Sequence, residues 1–262
     1  MAAQSPGALN AMTELRLETR ALSRRFGALV ALQEVDFKLS AGARHALIGP
    51  NGAGKTTFIN LLAGALRPSR GHVLLKGKDI TDKKQAERVK LGIARTFQIN
   101  RLFRGLSVLE NVCMSVAERV GAASNMVYPV GRRTDVIDES MHLLAMLKLS
   151  ADAAHRISEL PYGRQRLVEI AIAIGSKPDV LLLDEPAAGV PSAESHIILE
   201  AIERLPEQIA VLIIEHDMDL VFRFAKRVTV MVGGALFAEG SPREIEANAQ
   251  VRAVYLGQAG RG

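Results

Sequence analysis

The stretch Gly49-Pro50-Asn51-Gly52-Ala53-Gly54-Lys55-Thr56-Thr57 follows the pattern G-x-x-x-x-G-K-[ST], an order suited to holding a chain of phosphates. Gly52 and Gly54 let the backbone turn successive N–H groups inward on phosphate oxygens. Lys55 supplies a compact cation for β- and γ-phosphates, and the Thr56 hydroxyl is a ligand for Mg²⁺. A second polar pair closes the apolar run Val180-Leu181-Leu182-Leu183 as Asp184-Glu185. Asp184 suits the Mg²⁺ shell, and Glu185 is placed to polarise an attacking water. His216 closes a similar run, Ile213-Ile214-Glu215, where an imidazole can hydrogen-bond a γ-phosphate and hold the water in line. Gln98 follows Arg95-Thr96-Phe97 and could touch Mg²⁺ or that water. Gly163 stands where a loop enters a helix, a place that exposes N–H donors to an anion. Taken singly, His216, Gln98 and Gly163 read as well as a strand-end histidine, a surface glutamine and a plain helix start.

Elements must bring these residues together. His45 to Ile48 reads as a buried strand and Thr57 to Leu66 as a helix stopped by Pro68 and Gly71, so strand, glycine turn and helix N-terminus form an anion site. Leu15 and Leu17, then Val35, Phe37 and Leu39, alternate with polar residues as half-buried strands do. His72 to Leu75 and the turn at Gly77 suggest a short strand pair. From about Ile99 to Ser176 helical spacing dominates, with helices expected at Val108–Arg119, Asp135–Leu147 and Gly163–Ile174. Gly121 to Gly131 is the least regular stretch and reads as a surface connection. Val180–Leu183 and Ala210–Ile214 read as parallel strands with a helix from about Ala193 to Leu205 between them. Gly233-Gly234 marks a hairpin between Val228–Val232 and Ala235–Ala238, and Ser241-Pro242-Arg243-Glu244 opens a last helix as a capping box. About 130 residues separate Lys55 from Asp184, enough that a helical insert must lie between them.

Composition narrows the function. The 262 residues carry 33 Lys and Arg against 28 Asp and Glu, a net +5. The basic residues are scattered in pairs such as Arg24-Arg25 and Arg132-Arg133, and there is no Trp. That combination argues against a nucleic-acid stripe with stacking aromatics. No apolar run is long enough to span a bilayer. Met1 to Met12 reads as a loose tail without a signal pattern, so the cytosol is the expected compartment. A single cysteine, Cys113, leaves no internal disulfide and is expected to be inert packing.

The order of phosphate loop, Gln98, Gly163 helix start, Asp184-Glu185 and His216 resembles the ATP-binding cassette of ABC transporters, over about Leu15 to Gly257. In detail it is similar to the ATP-binding subunit of branched-chain (hydrophobic) amino-acid importers. The similar stretches are Arg95-Thr96-Phe97-Gln98, Arg101-Leu102-Phe103, Leu109-Glu110-Asn111-Val112, Asp184-Glu185-Pro186-Ala187-Ala188-Gly189, Ile214-Glu215-His216-Asp217-Met218 and Tyr255-Leu256-Gly257. The resemblance implies an α/β P-loop NTPase fold: a RecA-like core, an antiparallel β subdomain and a helical subdomain at about 99–177. One cassette would span 13–257, with tails at 1–12 and 258–262. It implies ATP and Mg²⁺, with Phe26 as the aromatic that stacks on adenine, although a strand-end core aromatic is the alternative. Gln98 would be the Q-loop glutamine, and the helical insert would receive a membrane partner, with Leu102, Phe103 and Leu106 as candidates for the contact.

Membrane-spanning permease subunits and, indirectly, a periplasmic or extracellular solute-binding protein are the implied partners, at the cytoplasmic face of the inner membrane. The solute would be a branched-chain or hydrophobic amino acid or a related small polar or aromatic molecule. Two departures stand out. The usual signature Leu-Ser-Gly-Gly-Gln is Leu160-Pro161-Tyr162-Gly163-Arg164 here, and the D-loop carries Pro191 after Gly189-Val190. Pro161 lacks the hydroxyl that serine would supply. In the superfamily both elements serve the other subunit's ATP, so a second, different ATP-binding subunit is expected rather than a homodimer. A lipopolysaccharide-export type of cassette usually keeps the serine. Nucleic-acid or ribosome-associated relatives usually carry two cassettes, a coiled coil or a zinc insert, all absent here. A small-molecule kinase would explain neither Gln98 nor His216.

Overall fold

The computed structural model describes residues 14–96, 102–122 and 133–259. Leu15–Phe26 (β1) and Leu29–Ser40 (β2) form a long hairpin around Gly27, whose φ of 58° suits a residue without Cβ. Arg44–Ile48 (β3) runs into Lys55–Ala63 (α1), and Arg70–Leu75 (β4) pairs with Lys78–Asp79 (β5). Gln85–Leu91 (α2) and Ile93–Arg95 (β6) follow, then three longer helices, Val108–Arg119 (α3), Thr134–Met146 (α4) and Tyr162–Gly175 (α5). The chain then alternates through Val180–Asp184 (β7), Ser192–Glu203 (α6), Ala210–Ile214 (β8) and Met218–Phe224 (α7). Arg227–Val232 (β9), Ala235–Gly240 (β10), Pro242–Ala247 (α8) and Ala249–Ala259 (α9) complete it.

The strands make two sheets. One is antiparallel in the order β2-β1-β4-β5; the other has the order β10-β9-β3-β8-β7-β6, parallel from β9 to β6 with β10 antiparallel at its edge. The parallel strands are mostly apolar because both of their faces are covered, with His45 on β3 and Thr229 on β9 among the buried polar exceptions. Val180 and Leu182 face α1 and the antiparallel sheet, with Phe58, Ile59 and Leu62. Leu181 and Leu183 face the other core, which continues into α3, α4 and α5. α1 is thus clamped between two sheets, and the loop that precedes it cannot shift without disturbing both.

Several expected boundaries move for local reasons. α1 ends at Ala63 rather than Leu66, because Gly64 adopts φ 76° and its N–H bonds back to Asn60 and Leu61 carbonyls. α3 matches its expected bounds and is opened by Ser107, whose hydroxyl accepts the Glu110 N–H in a capping box. α2 and α7 are too short to show a period. Asp217 starts α7 by accepting the Asp219 and Leu220 N–H groups. Gln98 and residues 123–132 of the expected surface connection lie outside the described residues, as do 1–13 and 260–262. Cys113 is buried in the helical core, where burial raises its thiol pKa, as expected of inert packing.

Candidate functional site

The parallel sheet sets the site's geometry, because β3, β6, β7 and β8 all deliver their last residues to one edge. β3 ends in the phosphate loop. Gly49 has φ 152°, and a Cβ there would lie 2.2 Å from the Met231 carbonyl oxygen. Gly54 has φ 102°, and its Cβ would meet the Ala31 oxygen at 2.7 Å. β2 and β9 therefore lie directly against the loop. The β9–β10 turn locks this contact: the Gly234 N–H donates to Ala53 and the Gln33 N–H to Gly234, each at 2.9 Å. Gly54 is also the N-cap of α1, with no side chain capping it and no acidic residue in the first turn. The first-turn N–H groups are left as an anion site.

Lys55 is half-buried and its Nζ donates to its own loop, to the Gly49 oxygen at 2.6 Å and the Pro50 oxygen at 3.0 Å. Burial lowers its pKa, opposed by the nearby charges of Glu185 and Asp184. Those carboxylates are therefore close enough to share a field with the lysine. Thr56, Thr57, Asn51, Gly52 and Ala53 line the same cleft, of about 330 Å³, together with Glu185 and Phe26.

Asp184 ends β7 and is 1% exposed. Its Oδ2 accepts from Arg95 Nη2 at 2.8 Å, and Arg95 Nη1 donates to Asn60 Oδ1 on α1 at 2.5 Å. Asp184 Oδ1 is buried without a hydrogen-bond partner among the described residues. Glu185 follows with φ 48°, a left-handed conformation unusual for a long side chain. Its N–H is pinned to the Ile214 oxygen at 2.9 Å, which turns the side chain out of the strand direction and into the cleft. β8 contributes Glu215 and His216. Glu215 is buried and accepts the Ala187 N–H at 3.2 Å and the His216 N–H at 3.3 Å. Burial raises its pKa. His216 is exposed, its Nδ1 3.9 Å from Glu215. The carboxylate thus ties the loop after Asp184-Glu185 to the loop carrying the histidine.

Phe26 is 42% exposed, so it is not a core aromatic. The Arg24 guanidinium lies 4.5 Å from its ring centre, and the ring lines the cleft of the phosphate loop. Gly163 is buried in the first turn of α5, which begins one residue earlier than expected, at Tyr162. Pro161 and Pro191 start α5 and α6 with no side-chain cap. The Tyr162 ring lies over Gly189, 3.2 Å from where a Cβ would stand, so the two irregular elements touch within one chain. Leu102 is buried in the helical core and Leu106 is part-buried, whereas Phe103 is 60% exposed. Of the three apolar candidates for a membrane-partner contact, Leu102 is packing. Arg95, Asn60 and Glu215 carried no role in the sequence reading, because a strand-end arginine and a mid-helix asparagine have no period or motif of their own.

The residues present fit Mg²⁺. A buried carboxylate oxygen without a partner is a hard donor waiting for one, and Mg²⁺ takes one or two protein oxygens beside substrate phosphates. No cluster of three His, Cys, Asp or Glu, of the kind that an all-protein cage would need, occurs among the described residues. A glycine-formed anion nest, a hydroxyl and a buried carboxylate at the end of parallel strands, with Glu185 lining the same cleft, define a P-loop nucleotide hydrolase carrying a helical insert. Comparison with known proteins narrows that class. The ABC transporter family model matches residues 32–188, and that of the branched-chain amino acid ATP-binding cassette transporter matches 235–260. The probable branched-chain amino acid transport ATP-binding protein LivG of Archaeoglobus fulgidus is 36% identical over 247 residues, 92% of this chain and 95% of that protein. The high-affinity branched-chain amino acid transport ATP-binding protein LivG of Escherichia coli (strain K12) is 36% identical over 95% of this chain and all of that one. A crystal structure of the ADP conformation of an ATP-binding cassette of an ABC transporter superposes with a TM-score of 0.81 at 31% identity, covering 93% of this chain and 99% of the other. The chain belongs to the ABC transporter ATP-binding family, and it is an ATP-hydrolysing transporter ATPase. No helix among the described residues is long and apolar enough to cross a membrane, and subunits of this family work with separate permeases and pair with a second cassette.

Proposed function

We propose that this chain energises import of branched-chain or other hydrophobic amino acids, or of related small polar or aromatic solutes, from the cytoplasmic face of the inner membrane. The amino-acid reading rests on the relatives' names and on the match of residues 235–260 to the branched-chain cassette family. The catalytic reading rests on one observation: the phosphate loop, Asp184-Glu185 and His216 converge on one sheet edge, with Glu185 lining the cleft of the loop.

The loop N–H groups and Lys55 hold the β- and γ-phosphates, and Phe26 stacks on adenine. Thr56 and Asp184 would hold Mg²⁺, which when bound would supply positive charge to neutralise the phosphates. Glu185 orients the attacking water and accepts its proton. His216 hydrogen-bonds the γ-phosphate, and Gln98 reaches the same centre from the insert. Exposed Phe103 contributes to the permease contact. The groups that would serve a partner's ATP begin on Pro161 and Pro191, which favours a second, different cassette in the assembled transporter and a solute-binding protein outside the membrane.

The test is Glu185→Gln in the purified transporter, with the partner cassette's catalytic glutamate replaced separately. We expect ATP binding to persist and turnover to fall by roughly 10²-fold or more in Glu185→Gln, with a smaller loss from the partner's change. Near-normal turnover removes Glu185 from the role. Equal losses, or a complex containing only this cassette, overturn the unlike pair.

A further inference from the structure

The Arg95–Asp184 pair sits at the end of β6 and β7, with side chains 9% and 0% exposed. A buried ion pair offsets the cost of leaving water only when the remaining polar atoms also find partners. Among the described residues this pair is incomplete: Asp184 Oδ1 and Arg95 Nε both lack one. The pair therefore leaves one carboxylate oxygen of Asp184 committed and the other open. Arg95 does not act alone, because its second arm is anchored on Asn60 Oδ1 of α1. One planar side chain thus joins three elements: β6, whose continuation leads to Gln98, α1, which begins at Lys55, and β7, which ends at Asp184.

We propose that Arg95 is a positioning residue of the metal site: by gripping Asp184 Oδ2 and Asn60 Oδ1 together it holds Asp184 with Oδ1 open for Mg²⁺. The proposal rests on the reading of Asp184 as a magnesium ligand. It deepens that reading by naming the outer contact that fixes the ligand's rotamer. A guanidinium is required because its fork reaches two acceptors in one plane, whereas an ammonium is a single point charge on a flexible stem. Outer contacts of this kind typically change metal affinity by about 10- to 100-fold when lost. The same fork ties the presentation of Asp184 to the strand leading to Gln98, so a shift of that strand would be felt at the metal oxygen.

The test measures ATP affinity of the full chain by calorimetry, once in excess Mg²⁺ and once in EDTA, and takes the ratio as the magnesium enhancement. Arg95→Lys keeps the charge and loses the bridge. We expect its enhancement to fall by about 10-fold or more, with affinity in EDTA unchanged. Asn60→Ala, which leaves both charges in place, should give a smaller loss in the same direction, and it carries the test if Arg95→Lys does not fold. Thermal unfolding of each variant separates the roles: a lower melting temperature with the enhancement intact makes Arg95 a structural residue and overturns the proposal. An equal loss in Mg²⁺ and in EDTA overturns it too. Asp184→Asn is the control. If it leaves the enhancement intact, the magnesium-ligand reading itself fails; if it abolishes the enhancement while Arg95→Lys does not, only the proposal fails.

Discussion

His45, on the strand that feeds the phosphate loop, should make the fold sensitive to mild acid. The ring is 2% exposed and packs edge-on to Phe37 with centroids 5.0 Å apart. Its Nε2 is 2.7 Å from Thr229 Oγ1, and that hydroxyl donates onward to Glu239 Oε2 at 3.2 Å. The Thr229 oxygen is therefore an acceptor for His45, which donates through Nε2 and stays neutral. Burial lowers its pKa from 6.5 to about 4, the charge of Glu239 opposing and that of Arg227 adding. The unfolded chain takes up this proton near pH 6.5 and the folded chain only near 4. The contribution is thus fully present above pH 6.5 and lost as the pH falls toward 4. At 1.36 kcal/mol per pH unit the loss approaches 3 kcal/mol, a large share of a stability of about 5–15 kcal/mol. Glu169 and Glu215, whose pKa values burial raises, act in the opposite sense, stabilising at low pH and losing that effect as pH rises. Urea unfolding followed by circular dichroism across this window, on the wild type and His45→Gln, isolates the histidine. Gln keeps a donor and removes the titration. The gap between the two should close by about 3 kcal/mol on acidification; a constant gap would refute the assignment.

Two further outcomes follow from the phosphate loop. Gly54→Ala should abolish detectable ATP binding, because its Cβ would meet the Ala31 oxygen at 2.7 Å, while Gly52→Ala has open space and only its φ of 76° to overcome. The latter costs about 1–2 kcal/mol of strain, so calorimetry with ATP should show a modest loss; equal losses at both positions would contradict the packing of β2 on the loop. Lys55→Ala should weaken ATP binding by about 10-fold or more, as expected for a charge-assisted contact. An unchanged affinity in the same assay removes Lys55 from the phosphates.

The motif residues were legible because their chemistry is local. A glycine turn followed by Lys55 needs only its flanking strand and helix, and both are where the apolar runs at His45–Ile48 and after Thr56 place them. Val108–Arg119 was legible down to its ends, because Ser107 and Glu110 write the cap into the sequence. The local hairpins at Gly77 and Gly233-Gly234 were legible from their turns, whereas the order of the parallel strands depends on pairing between distant segments, such as β3 with β8 and β9, which no single-sequence period encodes. The same holds for the site's supports. Arg95 meets Asp184 across 89 positions and Glu215 meets Ala187 across 28. Their functions come from where strands end in space rather than from spacing along the chain. The helix expected to stop at Pro68 shows the limit from the other side: Gly64 had already ended it.

The two carbonyl contacts of Lys55 bear on how the catalyst resets. A cation that had to leave phosphate with nowhere to go would pass through a stranded, half-desolvated state, and departure of the nucleotide would be slow. Here the Gly49 and Pro50 oxygens wait at hydrogen-bond distance of the ammonium's resting place. With Lys55 on the phosphates as proposed, it can trade its partners one at a time, losing a phosphate oxygen as it gains a carbonyl, much as a ligand is exchanged associatively at a metal. Such an exchange lowers the net gain of grasping the nucleotide and lowers the barrier to releasing it. In a machine whose output is cycles per second rather than tightness of grip, that is the useful direction for the trade.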